Sequence, residues 1–229
     1  MLRIEGSRPS ESEFASVKSR LNGMPPAYTA EQIARASRNG GRLPSGGGND
    51  RDDYPATASG RVAPPSTREQ SVRVGNVLTM RVPSNWRQAS DNDSVTFGPD
   101  GAFYRSDSGT GFTHGVQLGV IPSESHDLQQ ATDELIDSLQ RGNPQLRPTR
   151  NAVRDVIGGR NALTVDMRNV SDATGRPERV SLSTLGLRDG SLLYVIAVAP
   201  QEEGNVYANA FQRMKESIQL TDRETAYRR

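Results

Sequence analysis

The chain has 229 residues, enough for one large or two small domains, and 33% of them are apolar, against roughly 45–50% with Gly included in an ordinary globular chain. Twenty-eight Lys and Arg against 27 Asp and Glu leave a net charge of +1, which makes no electrostatic case for nucleic acid or an anionic membrane. No cysteine occurs, which excludes disulfides, thiolate catalysis and Cys-ligated metals, and no run approaches the roughly 20 apolar residues of a membrane span.

The first residues, MLRIEGSRPS, contain no apolar core of signal-peptide length. Taken as a true start they imply a soluble chain without an export signal, whereas an internal start leaves the cell envelope or periplasm open. Ser10 and Glu13 form a capping box, and Phe14, Val17 and Leu21 then share a helical face. Thr29 and Gln32 repeat the box before a short helix to about Ala36. Residues 1–36 are therefore expected to be a short helical segment, a candidate for the end of a domain encoded upstream. Residues 37–67 are rich in Gly, Pro, Ser, Arg and Asp and read as a disordered linker, because so few aliphatic side chains cannot offset the entropy of ordering.

From Arg68 strands alternate with turns. Val72, Val74, Val77, Leu78, Met80 and Val82 suggest a hairpin turning at Gly75-Asn76 and stopped by Pro83. Trp86, just after it, is expected to plug the core, as are Phe211 and Met214 near the end of the chain. Val95, Thr96 and Phe97 form a short strand. Residues 98–115 are Gly- and Ser-rich and carry Phe103, Tyr104, Phe112 and His114, so they read as a flexible aromatic loop and as the candidate recognition surface.

Val116, Leu118, Val120 and Ile121 give the next strand. Asp127 with Gln130 then caps a helix whose buried side is Leu128, Ala131, Leu135, Ile136 and Leu139, ending at Gly142-Asn143-Pro144. Val153, Val156 and Ile157 lead through Gly158-Gly159 into a long strand through Ala162, Leu163, Val165 and Met167. Residues 172–177 turn the chain, Val180, Leu182, Leu185 and Leu187 bring it back, and Asp189-Gly190 turns it again. The run from Leu192 to Val198 is apolar on both faces and predicts a central, doubly covered strand. Val206, Ala210, Phe211, Met214 and Ile218 then mark one face of a final helix. Three strands joined by short turns make an antiparallel meander, and the whole is α+β: an antiparallel sheet flanked by helices over 68–221, with a flexible tail at 222–229.

The order of elements, Pro83 to Trp86, the Gly158 to Leu163 opening, and Phe211 to Ile218 together resemble the PsbP-like α/β/α sandwich, shared with the Ran-binding Mog proteins, over about residues 70–221. That resemblance implies a binding or accessory module with a protein partner and no catalytic set. Residues 7–21, with Glu13, Phe14, Val17, Lys18, Arg20 and Leu21, resemble the C-terminal end of bacterial HtpX/CAAX-protease-like zinc metallopeptidases. The His-Glu-x-x-His helix that holds their zinc is absent, so zinc is expected only if a peptidase domain lies upstream.

Within this chain no catalytic or metal-binding residue is predicted. His114 has Ser106, Asp107 and Ser108 near it in sequence, but no Gly-x-Ser-x-Gly elbow accompanies them. Asp127 as a helix cap accounts for the Glu124, His126, Asp127 group. The function expected is a non-catalytic binding or accessory module, with metallopeptidase-associated hydrolysis and small-ligand carriage as alternatives. No cofactor, nucleic acid or membrane insertion is expected.

Overall fold

The computed structural model describes residues 62–91, 94–106 and 109–221. The two short N-terminal helices expected from the sequence, most of the expected linker, the peptidase-like stretch at 7–21 and the tail lie outside those residues.

Seven strands form one continuous antiparallel path. They are β3 (Trp86–Asp91), β4 (Ser94–Pro99), β7 (Gly115–Ile121), β12 (Leu192–Pro200), β11 (Pro177–Gly186), β10 (Arg160–Val170) and β8 (Arg147–Pro148), neighbours in that order. β9 (Val153–Ile157) also pairs with β10, joined through Gly158 and Gly159, both at positive φ, where a side chain would be strained. A three-stranded sheet of β1 (Glu69–Val74), β2 (Leu78–Pro83) and β13 (Gln219–Leu220) and a hairpin of β5 (Phe103–Ser106) and β6 (Gly109–Phe112) complete the β structure.

The meander β10-β11-β12 is present, and β12 lies between β7 and β11 with every residue buried. Its alternation defines two cores. Leu193, Val195, Ala197 and Ala199 face one side, together with Trp86, Phe97, Leu118 and the small sheet's Leu78, Met80 and Val82. Leu192, Tyr194, Ile196 and Val198 face the other, with Leu182, Val165 and Met167 of the neighbouring strands. Burying each large side chain contributes roughly 1.5–3 kcal/mol, and a strand that does so on both faces becomes the centre of the domain.

Helix α1 (Leu128–Gly142) covers the second face with Ala131, Leu135, Ile136 and Leu139, as its period predicts. Asp127 caps it, its side chain accepting the Gln130 N–H at 2.9 Å. Helix α2 (Gly204–Glu216), entered through a single 3-10 turn (Gln201–Glu203), lies over the first face beside the small sheet. The architecture is thus the expected α+β sandwich, with each outer layer shared between a helix and a small β element.

Four details depart from the sequence reading. Val206 does not face the core but is 55% exposed, and Tyr207 is fully buried in its place. Starting the helix at Gly204 directs 207, 210 and 214 inward, and residue 206 falls about 100° from that line. Trp86 opens strand β3 rather than following the last strand of a hairpin; its polar companions Arg87, Gln88 and Ser90 mask an edge strand that the apolar pattern does not reveal. The Gly-rich segment after residue 98 is largely paired as β5 and β6 instead of forming a flexible loop. Finally, residues 62–67, read as linker, are held against the domain: the Ser66 N–H donates to Asn85 Oδ1 at 2.9 Å, and the Asn85 amide donates to Pro64 O at 2.9 Å.

Candidate functional site

The aromatic residues singled out for recognition are inside. Phe103 is 1% exposed, Tyr104 3%, Phe112 8% and His114 4%. Phe103 and Phe112 sit opposite each other in the hairpin and join the α1-side core. Tyr104 lies over Gly111, where a Cβ would fall 2.4 Å from the Tyr104 ring. The glycines there make room for rings, which is why composition resembling a mobile loop encodes a packed hairpin.

His114 is enclosed. Its Nδ1 lies 2.8 Å from Thr113 Oγ1, its Nε2 lies 3.3 Å from Glu203, and the Tyr207 ring is 5.2 Å away. Burial pulls its pKa below the ordinary value; Glu203 opposes this and Arg176 adds to it. Arg176 in turn ion-pairs with Glu202. Tyr207 stacks on Trp86 at 6.3 Å and donates its hydroxyl to Ala63 O at 3.2 Å, and Phe211 meets Trp86 edge-on at 6.2 Å. This group ties α2 and residue 63 to the sheet, and it offers no open face to a substrate. Trp86 and Met214 are buried as expected, while Phe211 is only partly so.

The reason Phe211 is half open is a groove of about 490 Å³ between α2 and the floor of β10, β11 and β12. The register builds that floor in rungs. Thr164, Ser183 and Val195 form one, Asp166, Ser181 and Ala197 the next, and Arg168, Arg179 and Ala199 the third. On β10 and β11 these residues alternate with Val165, Met167, Val180 and Leu182, which point to the α1 side. The floor is therefore polar under β10 and β11 and apolar under β12. The α2 wall supplies Gly204, Ala208, Phe211, Gln212, Met214 and Lys215.

One end of the groove is closed by Lys215, whose Nζ donates to Asp155 Oδ2 at 2.7 Å. Thr164 donates to the same carboxylate at 2.7 Å and lies 2.8 Å from Ser183 Oγ. Burial works to raise the Asp155 pKa, but the bonds from Lys215, Thr164 and the Val156 N–H outweigh it and hold the carboxyl below its ordinary range. Asp166 takes an ion pair from Arg150 and a hydrogen bond from Ser181 at 3.2 Å. At the far end Arg179 runs beside Gly204, where a Cβ would sit 2.7 Å from Arg179 Cδ. From residue 179 to 183 the floor extends roughly 13 Å at about 3.3 Å per residue, the length of a short extended peptide.

Sequence reasoning missed this site because it sought aromatics in a loop. The signal was the alternation itself, Thr164, Asp166 and Arg168 against Leu163, Val165 and Met167, which marks a strand with one uncovered face.

Among the described residues no group of three or more His, Asp or Glu is placed to hold a metal ion. Nor is any helix among them long and apolar enough to cross a membrane.

Solved structures are similar to much of this chain. LpqN of Mycobacterium tuberculosis, involved in cell envelope biogenesis, is similar over 67% of this chain and 91% of its own, at 15% identity and a TM-score of 0.44. The Ran-binding protein Mog1p of Saccharomyces cerevisiae is similar over 69% and 98%, at 11% and 0.47. CyanoP, the cyanobacterial PsbP of Synechocystis, is similar over 71% and 96%, at 15% and 0.44. At identities of 11–15% and TM-scores of 0.44–0.47 these likenesses assign no family and no role to the chain. No family model and no curated protein matches the chain, and the peptidase-like resemblance of residues 7–21 gains no support.

Proposed function

We propose that this chain is a non-catalytic binding module and that a protein partner docks in the groove between α2 and strands β10 to β12. The observation that carries this reading is the groove's make-up: a polar floor beside an apolar strip and an α2 wall that includes the small residues Gly204 and Ala208, open to solvent at Arg168, Arg179, Ala208 and Gln212. A polypeptide in extended form needs such a surface, with apolar contacts for some side chains and hydrogen-bonding groups for the backbone. The buried His114 presents no base to a substrate, and the groove's hydroxyls are hydrogen-bonded to Thr164, Ser183 and Asp166 without an adjoining histidine. A small ligand is the second reading, since the volume lies within the range of about 300–1,000 Å³ usual for such sites.

The test is a capture experiment followed by titration. A partner isolated from native extract is identified, purified and titrated calorimetrically against the full chain, Ala208→Trp and Val206→Trp. Ala208→Trp fills the groove and is expected to weaken binding by at least about tenfold, or about 1.4 kcal/mol, whereas Val206→Trp, which alters another exposed position of α2, leaves it unchanged. Equal binding by all three proteins removes the groove as the docking site. A small molecule that raises the melting temperature of the wild type but not of Ala208→Trp favours the second reading.

A further inference from the structure

We propose that the groove selects an acidic segment of its partner, with a carboxylate seated between Arg168 and Arg179; this rests on the groove being the docking site. The two arginines are direct cross-strand partners on one face, and Arg147 of β8 stands opposite Arg168 on its other side. Residues opposed in this way have Cβ atoms about 4.5–5.5 Å apart, and like charges so placed repel. Three arginines thus occupy one rung of the sheet, two of them lining the groove.

What distinguishes this pair is that its charge is unmet among the described residues. The groove's other cation, Lys215, is engaged with Asp155 at 2.7 Å, and Arg150, outside the groove, pairs with Asp166 of its floor. Arg213, further round α2, holds Glu69 at 2.9 Å. Among the described residues neither Arg168 nor Arg179 has a carboxylate within ion-pair distance. The nearest acid along the chain, Glu178, is buried and accepts from the Asn169 amide at 3.0 Å instead. Each guanidinium carries a planar fork of N–H donors that can hold a carboxylate through two bonds, and the register starts both side chains from neighbouring positions on one face. Gly204 lets the Arg179 stem lie along α2, which keeps its head in the groove. Ala199 and Ala208 beside the pair are small enough to admit a main chain, and Phe211 offers an apolar contact further along.

The experiment pans a random dodecapeptide phage library on immobilised full-length chain, then titrates the synthesised winners. Asp and Glu are expected to be enriched, and both Ala208→Trp and the double variant Arg168→Gln/Arg179→Gln are expected to weaken the winners by at least about tenfold. The reversal Arg168→Glu/Arg179→Glu should select Lys and Arg instead. Winners lost in Ala208→Trp but showing no acidic enrichment, and indifferent to the double variant, overturn the carboxylate site and leave the groove standing. Winners indifferent to Ala208→Trp, or no winners at all, remove both. Tighter binding of a labelled oligothymidylate than of any peptide, lost in the double variant, also overturns the proposal by assigning the arginines to phosphate.

Discussion

On the α1 side of the main sheet, Leu182, Tyr194, Ile196 and Val198 are at most 2% exposed, closed over by Leu135, Leu139 and the Phe103–Phe112 hairpin. On the α2 side, the same strands carry Ser181, Ser183 and Arg179 into an open groove. The difference comes from how far each outer layer reaches. α1 brings aliphatic side chains to the sheet, and the aromatic hairpin fills what the helix leaves. α2 is anchored through Tyr207, Ala210 and Met214 towards β12 and the small sheet, and towards the groove it presents Gly204 and Ala208. Beyond that reach Arg168 and Arg179 are exposed, while the buried Thr164 and Ser183 hydrogen-bond to each other, so the floor can be polar without unpaired groups. A concave surface therefore persists where the covering layer stops short, and its chemistry is free to serve binding.

Substitutions at neighbouring positions of β11 test the contrast most sharply. Leu182→Ala removes a fully buried side chain from the closed face and should cost about 2–5 kcal/mol, read by urea denaturation. Ser183→Ala, one residue on but facing the groove, loses the hydroxyl contact to Thr164 and should cost only about 0.5–1.5 kcal/mol. Similar losses at both sites would mean that the α2 face is as tightly integrated as the other. Asp155→Ala falls between these. It strands Lys215 at the closed end of the groove and removes one of the two hydrogen bonds of Thr164, and about 1–3 kcal/mol is expected from the same measurement. The stability supplied by Asp155 should fade in acid, because its pKa is depressed in the fold: it is present above 3.8 and lost as pH falls through the lower folded-state value.

A smaller, pH-dependent effect belongs to His114. Its folded pKa lies below the ordinary 6.5, so in the interval between the two the unfolded chain binds the proton more readily. Stability therefore falls as pH drops through 6.5 and levels off below the folded-state pKa. His114→Gln should flatten the melting-temperature profile in that interval, and an unchanged slope would assign the acid sensitivity elsewhere. Least of all in magnitude, and opposite in sign, is Arg168→Ala. Relief of the like-charge pairing with Arg179 should leave stability unchanged or raise it by up to about 1 kcal/mol. A clear loss of stability would show that the arginine serves the fold.

Much of the architecture was legible in local sequence. The seven apolar residues from Leu192 to Val198 specify a strand covered on both sides, because neither face has a side chain that water favours. Asp127 with its helical period sets α1, and Gly158-Gly159 and Asp189-Gly190 place turns that the backbone of other residues resists. What local pattern could not determine was which polar face would lie beneath a helix, which would remain open, and where glycines accommodate rings rather than motion. Arg168 and Arg179 stand eleven residues apart in sequence and become neighbours only through the register closed by the turn at 171–176. Trp86 and Tyr207 likewise meet only when α2 folds back on the sheet. Periodicity tells a strand that it has two faces; only packing of distant segments decides what covers each.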